Sequence, residues 1–174
     1  QDSCVEHVDV DGIRIAYRRA GAGPPLVMLH GAPTDSRTWQ WMIPDLSRDH
    51  TVIAWDAPGF GQSSDIADSW RAAQFADALA AFIAALDLER PHIVGHSFGT
   101  MVALSLYERH PAIPASLVLV GGYAGWAGSL PPDEVARRLE MFVGMAELGD
   151  AFDPKSYPGL FSDLIPADRD VALA

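Results

Sequence analysis

From residue 26 onward, short continuous apolar runs alternate with helical patterns, and that alternation leaves few architectures open. Leu26 to Leu29, Thr51 to Trp55, His92 to Val94 and Leu117 to Val120 are strand-length and uninterrupted by polar residues, which predicts strands buried on both faces. Between them, Ser36 to Leu46, Trp70 to Leu86 and Phe98 to Glu108 read as helices. The second is the clearest, with Phe75, Leu79, Phe82, Ile83 and Leu86 recurring on one side. Strands that alternate with helices run parallel, with helices on both faces of the sheet, so the expected class is α/β with a mostly parallel sheet. Ahead of this pattern, Val5 to Val10 and Ile13 to Arg18 flank Asp11-Gly12, a strong hairpin signal. The chain should therefore open with two antiparallel strands.

Composition removes several function classes. The 174 residues are 49% hydrophobic and 20% charged, the balance of one soluble globular domain. A net charge of −11 has the wrong sign for holding a phosphate backbone, so no nucleic-acid partner is expected. No apolar run reaches the roughly 18 residues of a membrane span. Cys4 is the only cysteine, which excludes an internal disulfide or a cysteine metal site and fits a reducing cytoplasm.

Three segments carry possible chemistry. In "GHSFG", Ser97 lies between Gly95 and Gly99, directly after the strand "HIV" and before a helical run. The pattern alone is weak, but a serine at a sharp strand-to-helix turn is held in strained geometry, and glycines two residues either side remove colliding side chains. The positive end of the helix then favours negative charge near the serine oxygen. In "LHGAPTDSRTW", the Ala32 backbone N–H can face the serine, and with the Phe98 N–H it would form an oxyanion hole. His30 and His96 read as packing histidines rather than bases. In "DAPGFGQS", Gly59 and Gly61 allow positive φ, Pro58 stiffens the turn and Asp56 can accept loop N–H bonds. A phosphate loop fits poorly there, without G-x-G-x-x-G or lysine. His92 and His96 would stand roughly 13 Å apart along a strand, too far to share an ion, so no metal site is expected.

The ordered set "LVMLHGAPTDSRTW", "VIAWDAPGFGQSS", "HIVGHSFGTMVAL" and "SLVLVGGYAG" resembles the α/β-hydrolase superfamily, in particular its small, cofactor-free bacterial members with a helical cap. The resemblance runs from about Val5 to Tyr123. It implies Ser97 as nucleophile, Ala32 and Phe98 as oxyanion donors, no cofactor, and a small-molecule acyl substrate. It also implies that residues 1–123 are the N-terminal part of the hydrolase core. Residues 124–174, where "GGYAGWAGSLPP" leads into an amphipathic Asp133 to Leu148, are the beginning of a helical cap. Trp39, Trp126 and the cap helix suggest an apolar acyl or ring-bearing substrate.

The family order is Ser, then Asp or Glu, then His. Of the histidines at positions 7, 30, 50, 92, 96 and 110, only His110 follows Ser97, and the intervening helix would carry it roughly 20 Å away. The turn after "SLVLV" reads Gly121-Gly122-Tyr123, without an acid. Asp133, Glu134, Asp150, Asp153, Asp163, Asp168 and Asp170 read as solvated or capping charges. Moreover, "SLVLV" would leave an apolar strand edge unpaired. The chain starts at Gln1 and ends in the uncapped "ADRDVALA", so the expectation is a piece of a longer protein, with the triad acid, histidine and last strands in a C-terminal segment of the same fold. Two functions stay open. One is a serine hydrolase whose 174-residue piece alone is inactive; the other is a non-catalytic hydrolase-like binding or signalling protein, or an inactive truncated form.

Overall fold

The computed structural model describes residues 5–122, 126, 129–148, 151, 153 and 156. Six strands form one sheet: β1 (Val5–Val10), β2 (Ile13–Ala20), β3 (Pro25–Leu29), β4 (Thr51–Trp55), β5 (His92–His96) and β6 (Ser116–Val120). Their spatial order is β1-β2-β4-β3-β5-β6. The first two pair antiparallel around Asp11 and Gly12, whose φ angles of 50° and 82° suit the tight turn the sequence calls for. β2 joins β4 antiparallel, and β4, β3, β5 and β6 run parallel.

The helices are α1 (Ile43–Leu46), α2 (Ala72–Ala85), α3 (Phe98–Arg109) and α4 (Pro132–Leu148). Two of the expected helices differ. Ser36 to Leu46 is a 3-10 turn at Ser36–Trp39 followed by the separate short α1. Pro44 has no N–H to continue a ladder across this stretch, and the Asp35 carboxylate caps the 3-10 turn at Arg37 N. The second helix starts at Ala72 rather than Trp70, because Trp70 N–H closes a turn on Ala67 and Gln74 Oε1 accepts the Arg71 N–H at 2.9 Å.

Alternation along the buried strands divides the core in two. Val27, Leu29, Ile53, Trp55 and Ile93 face α2 and α3, meeting Phe75, Leu79, Phe82, Val102 and Leu106. Leu26, Met28, Val52, Ala54 and Val94 face Trp39 and Ile43 on the other side. Helical segments thus cover both faces, as the parallel topology requires. β3 continues toward β4 on one side, whereas β5 continues through α3 toward β6 on the other. Connections that diverge in this way leave a crevice at the carboxyl ends of β3 and β5, the switch point where α/β sheets place their ligands.

The two sheet edges contrast. β1 exposes Glu6, His7 and Asp9, polar groups that discourage further pairing. β6 exposes Val118 at 49%, Leu119 at 42% and Val120 at 46%. Its register with β5 puts Leu117 and Leu119 on the α3 face and Val118 and Val120 on the opposite one.

Residues 1–124 form one compact unit and residues 125–174 a second. In the second, Trp126 stacks on Phe142 at 5.6 Å, with the Arg138 guanidinium over the indole. Glu134, in the first turn of α4, accepts from Arg137 and Arg138, which hold its pKa down at about 2. No helix among the described residues is long and apolar enough to cross a membrane.

Phe82 is fully buried and packs edge-on against Tyr17 at 5.5 Å and beside Trp55 at 5.9 Å. Phe82→Ala should therefore cost about 3–5 kcal/mol, read as a lowered urea midpoint at unchanged slope.

Candidate active site

Ser97 joins β5 to α3 with φ 49° and ψ −113°, a left-handed backbone that L-residues adopt only when the surroundings enforce it, at a cost of about 1–3 kcal/mol. What enforces it is crowding. A Cβ on Gly95 would lie 2.5 Å from the Gly99 carbonyl oxygen, and one on Gly99 would overlap the Leu29 carbonyl. Only glycine at both positions lets α3 start so close to β5 and β3. Ser97 N–H continues the β5–β6 ladder to Val120 O at 3.0 Å. Its side chain makes no capping bond to the helix it precedes, which leaves Oγ at the positive end of α3.

The loop after β3 passes directly over this serine. A Cβ on Gly31 would stand 3.2 Å from Ser97 Cβ and 3.0 Å from His96 Nδ1, so a side chain here would press on its neighbours. Three donors fix the Gly31 carbonyl: His30 Nδ1 at 2.8 Å, Thr34 N at 3.0 Å and Thr34 Oγ1 at 2.7 Å. Turning that peptide over would give up all three, at about 0.5–1.5 kcal/mol each. Ala32 follows it on the exposed loop, and Phe98 opens α3 with an N–H that has no partner inside the helix. The Phe98 ring packs between Phe60 at 5.7 Å and Phe75 at 5.1 Å.

Asp56, 3% exposed, braces the loop from its far end. Its carboxylate accepts from Ser36 N and from Gln62 N, both at 2.9 Å, and its own carbonyl accepts from Ser63 Oγ at 2.6 Å. Gly61, at φ 53°, lies against that carboxylate with no room for a side chain. The glycines of "DAPGFGQS" therefore serve a turn wound around Asp56.

His30 is 1% exposed, with both nitrogens engaged: Nδ1–H donates to Gly31 O, and Nε2 accepts the Ala57 N–H at 3.0 Å. Only the neutral ring can play these opposite roles. Burial lowers its pKa, outweighing the hydrogen bond to Gly31 and the pull of Asp56 and Asp35. His96 is partly buried, and desolvation lowers its pKa as well; its Nδ1 and the Trp39 Nε1 are buried without a hydrogen-bond partner among the described residues.

Other candidates lie elsewhere. His110 ends α3, where it binds Asp77 of α2 at 2.8 Å beside the Arg109–Asp77 pair. His92 contacts Ser116 at the opposite end of β5. Trp39, 4% exposed, is a core residue among Leu26, Met28, Ile43 and Val94, which removes it as a sign of an open substrate pocket. Asp133 and Glu134 open α4. Asp150, Asp163, Asp168, Asp170 and Tyr123 lie outside the described residues. No described histidine hydrogen-bonds Ser97, and no group of three metal-type ligands occurs among the described residues. Thr34 and Thr100 escaped the motif reading; each stands three residues after the carbonyl it binds, a spacing visible in "GAPT" and "SFGT".

Residues 24–150, well over half of the chain, match the family model described as alpha/beta hydrolase fold, and the chain belongs to that family. It is 39% identical over 114 residues to a 2-hydroxymuconate semialdehyde hydrolase of a Pseudomonas species, covering 63% of this chain and 40% of that protein. It is 34% identical over 116 residues to a proline iminopeptidase of Heyndrickxia coagulans, covering 64% and 40%. Among solved structures, a putative alpha/beta hydrolase from a Nostoc species superposes with TM-score 0.75 at 26% identity, over 90% of this chain and 58% of that one. Est816, described as an N-acyl homoserine lactone degrading enzyme, superposes with TM-score 0.72 at 29% identity, over 80% and 54%. The chain spans about two fifths of the length of the two curated relatives.

The histidines set a pH dependence. With pKa values below the ordinary 6.5 in the folded state, His30 and His96 take up protons first in the unfolded chain. Stability should be full above about pH 6.5 and fall as the pH drops below it. Urea titrations at pH 7.5 and 5.5 should show that loss, and His30→Gln should shrink it.

Proposed function

We propose that the complete protein is a serine hydrolase that cleaves a carboxylic ester or related acyl bond of a small, apolar substrate through a covalent acyl-enzyme. The observation that carries this reading is Ser97, held in left-handed backbone at the start of α3 with its hydroxyl free of capping, against the Gly31 loop. Its Oγ attacks the carbonyl carbon while a base takes the proton. The Ala32 and Phe98 N–H groups receive the oxyanion, the leaving group departs with the proton, and water then hydrolyses the ester on Ser97. The relatives' names cover lactone, semialdehyde and iminopeptide chemistry, which supports hydrolysis without choosing a bond. Phe60 and Phe98 favour an apolar substrate. This donor set calls for no cofactor.

We assign the triad acid and histidine to a further segment of the same fold that pairs with β6. Support comes from the apolar, half-exposed Val118, Leu119 and Val120, and from the described histidines, none of which hydrogen-bonds Ser97: His30 is engaged with Gly31 and Ala57, His110 with Asp77, and His96, next to Ser97 in the chain, makes no bond to it. On this reading, residues 1–123 are the core up to β6, residues 124–174 begin a helical cap, and the protein works in the reducing cytoplasm to which a single cysteine is suited.

A fluorophosphonate probe should label the full-length protein at pH 8, and Ser97→Ala should abolish the label. Absence of labelling in the full-length protein would leave a non-catalytic binding scaffold as the better reading. The 174-residue chain by itself should hydrolyse p-nitrophenyl acetate no faster than its Ser97→Ala variant; substantial turnover would mean that another group supplies the base.

A further inference from the structure

We propose that Thr34 and Thr100 are positioning residues that polarise the two oxyanion-hole peptides from behind; this rests on the serine-hydrolase reading above. The oxyanion donors, Ala32 N–H and Phe98 N–H, belong to the peptide units whose carbonyls are Gly31 O and Ser97 O. The same arrangement sits behind both. Thr34 donates its backbone N–H at 3.0 Å and its hydroxyl at 2.7 Å to Gly31 O. Thr100 donates its backbone N–H at 2.9 Å and its hydroxyl at 2.6 Å to Ser97 O. The Gly31 carbonyl takes a third donor, His30 Nδ1–H, so its two lone pairs are shared among three bonds.

A trans peptide holds its N–H opposite its carbonyl, so fixing one end aims the other. Hydrogen bonds into a carbonyl also draw electron density toward oxygen and leave the N–H a stronger donor, the cooperative effect seen in hydrogen-bond chains. Each chain here runs from a threonine hydroxyl through an amide to the place where the oxyanion forms. The Thr34 hydroxyl bond has the usual O–H···O length and the Thr100 bond is slightly shorter; Thr100 is fully buried, so water does not compete there. A bland account exists for each threonine alone, since helix and turn threonines often bond back three residues. What favours a catalytic purpose is that both back-bonds end on the two peptides that flank the nucleophile.

The test uses the full-length protein. Thr34→Val and Thr100→Val keep shape and both backbone bonds but remove the hydroxyls. Each should lower kcat for a p-nitrophenyl ester about 3- to 10-fold, well short of the roughly 100- to 1000-fold lost with a direct donor, at unchanged KM. Affinity for an alkyl boronic acid, which forms an anionic tetrahedral adduct on serine, should fall by the same factor. Thr34→Ser and Thr100→Ser should restore both quantities, and the double valine variant should show the product of the single losses. Unchanged kcat in the valine variants, or a rise in KM in its place, would overturn the proposal. If Thr100→Val fails to fold, Thr34→Val with its serine rescue decides alone, because Thr34 is only half-buried. Labelling that survives Ser97→Ala would instead remove the serine mechanism, whereas labelling that is lost there with wild-type turnover in the valine variants removes only this inference.

Discussion

Gly99 lets the first turn of α3 lie directly on the carbonyls of Leu29 and His30, and the arrangement at the sheet end follows from that approach. With α3 so close to β3, the loop leaving β3 has to cross beside Ser97. Gly31 eases the crossing, since a Cβ there would stand only 3.2 Å from the serine Cβ. A side chain at Gly99 would overlap the Leu29 carbonyl and force the two backbones apart. The left-handed Ser97 backbone is the strained residue in this contact, and burial of the β3 and β5 faces against Leu106, Val102 and Trp39 offsets its cost.

Much of the architecture is legible in the sequence because parallel buried strands advertise themselves. Runs such as "VIAW" and "LVML" have no polar face, so strand, parallel direction and two-sided burial follow together. Ser97 is legible for a different reason: glycines at two residues either side have few explanations except crowding. The failures share one cause. Helix starts at Trp70 and across Ser36 to Leu46 depend on single hydrogen bonds, at Gln74 and Asp35, that periodicity does not register. Asp56 is visible as a loop acid, but its grip on Ser36 joins residues 20 positions apart, and only the folded chain brings them together. Trp39 misleads because an aromatic near a reactive loop looks the same in sequence whether it lines a pocket or fills the core.

The sheet manages its two edges by different means. β1 presents charge, which costs little in water and repels an incoming strand. β6 presents valine and leucine on both faces, where each half-exposed aliphatic forgoes part of the roughly 1.5–3 kcal/mol that full burial would bring. A sheet whose hydrophobic gain is unfinished on one side is stabilised by whatever covers that side. The Ser97 N–H bond to Val120 O ties the turn between β5 and α3 to this same strand, so any shift of β6 is felt there.

His30, Asp56 and Thr100 are buried, and what they hold is backbone: the Ala57 N–H, the Ser36 and Gln62 N–H groups and the Ser97 carbonyl, respectively. On the proposed serine mechanism, side chains on these loops can be exchanged without touching the amides that would receive the oxyanion, because an amide N–H is the same in every residue but proline. A scaffold of this kind can change what it binds while keeping how it reacts. Relatives that share more than a third of their aligned residues with this chain can accordingly bear names as unlike as a semialdehyde hydrolase and an iminopeptidase.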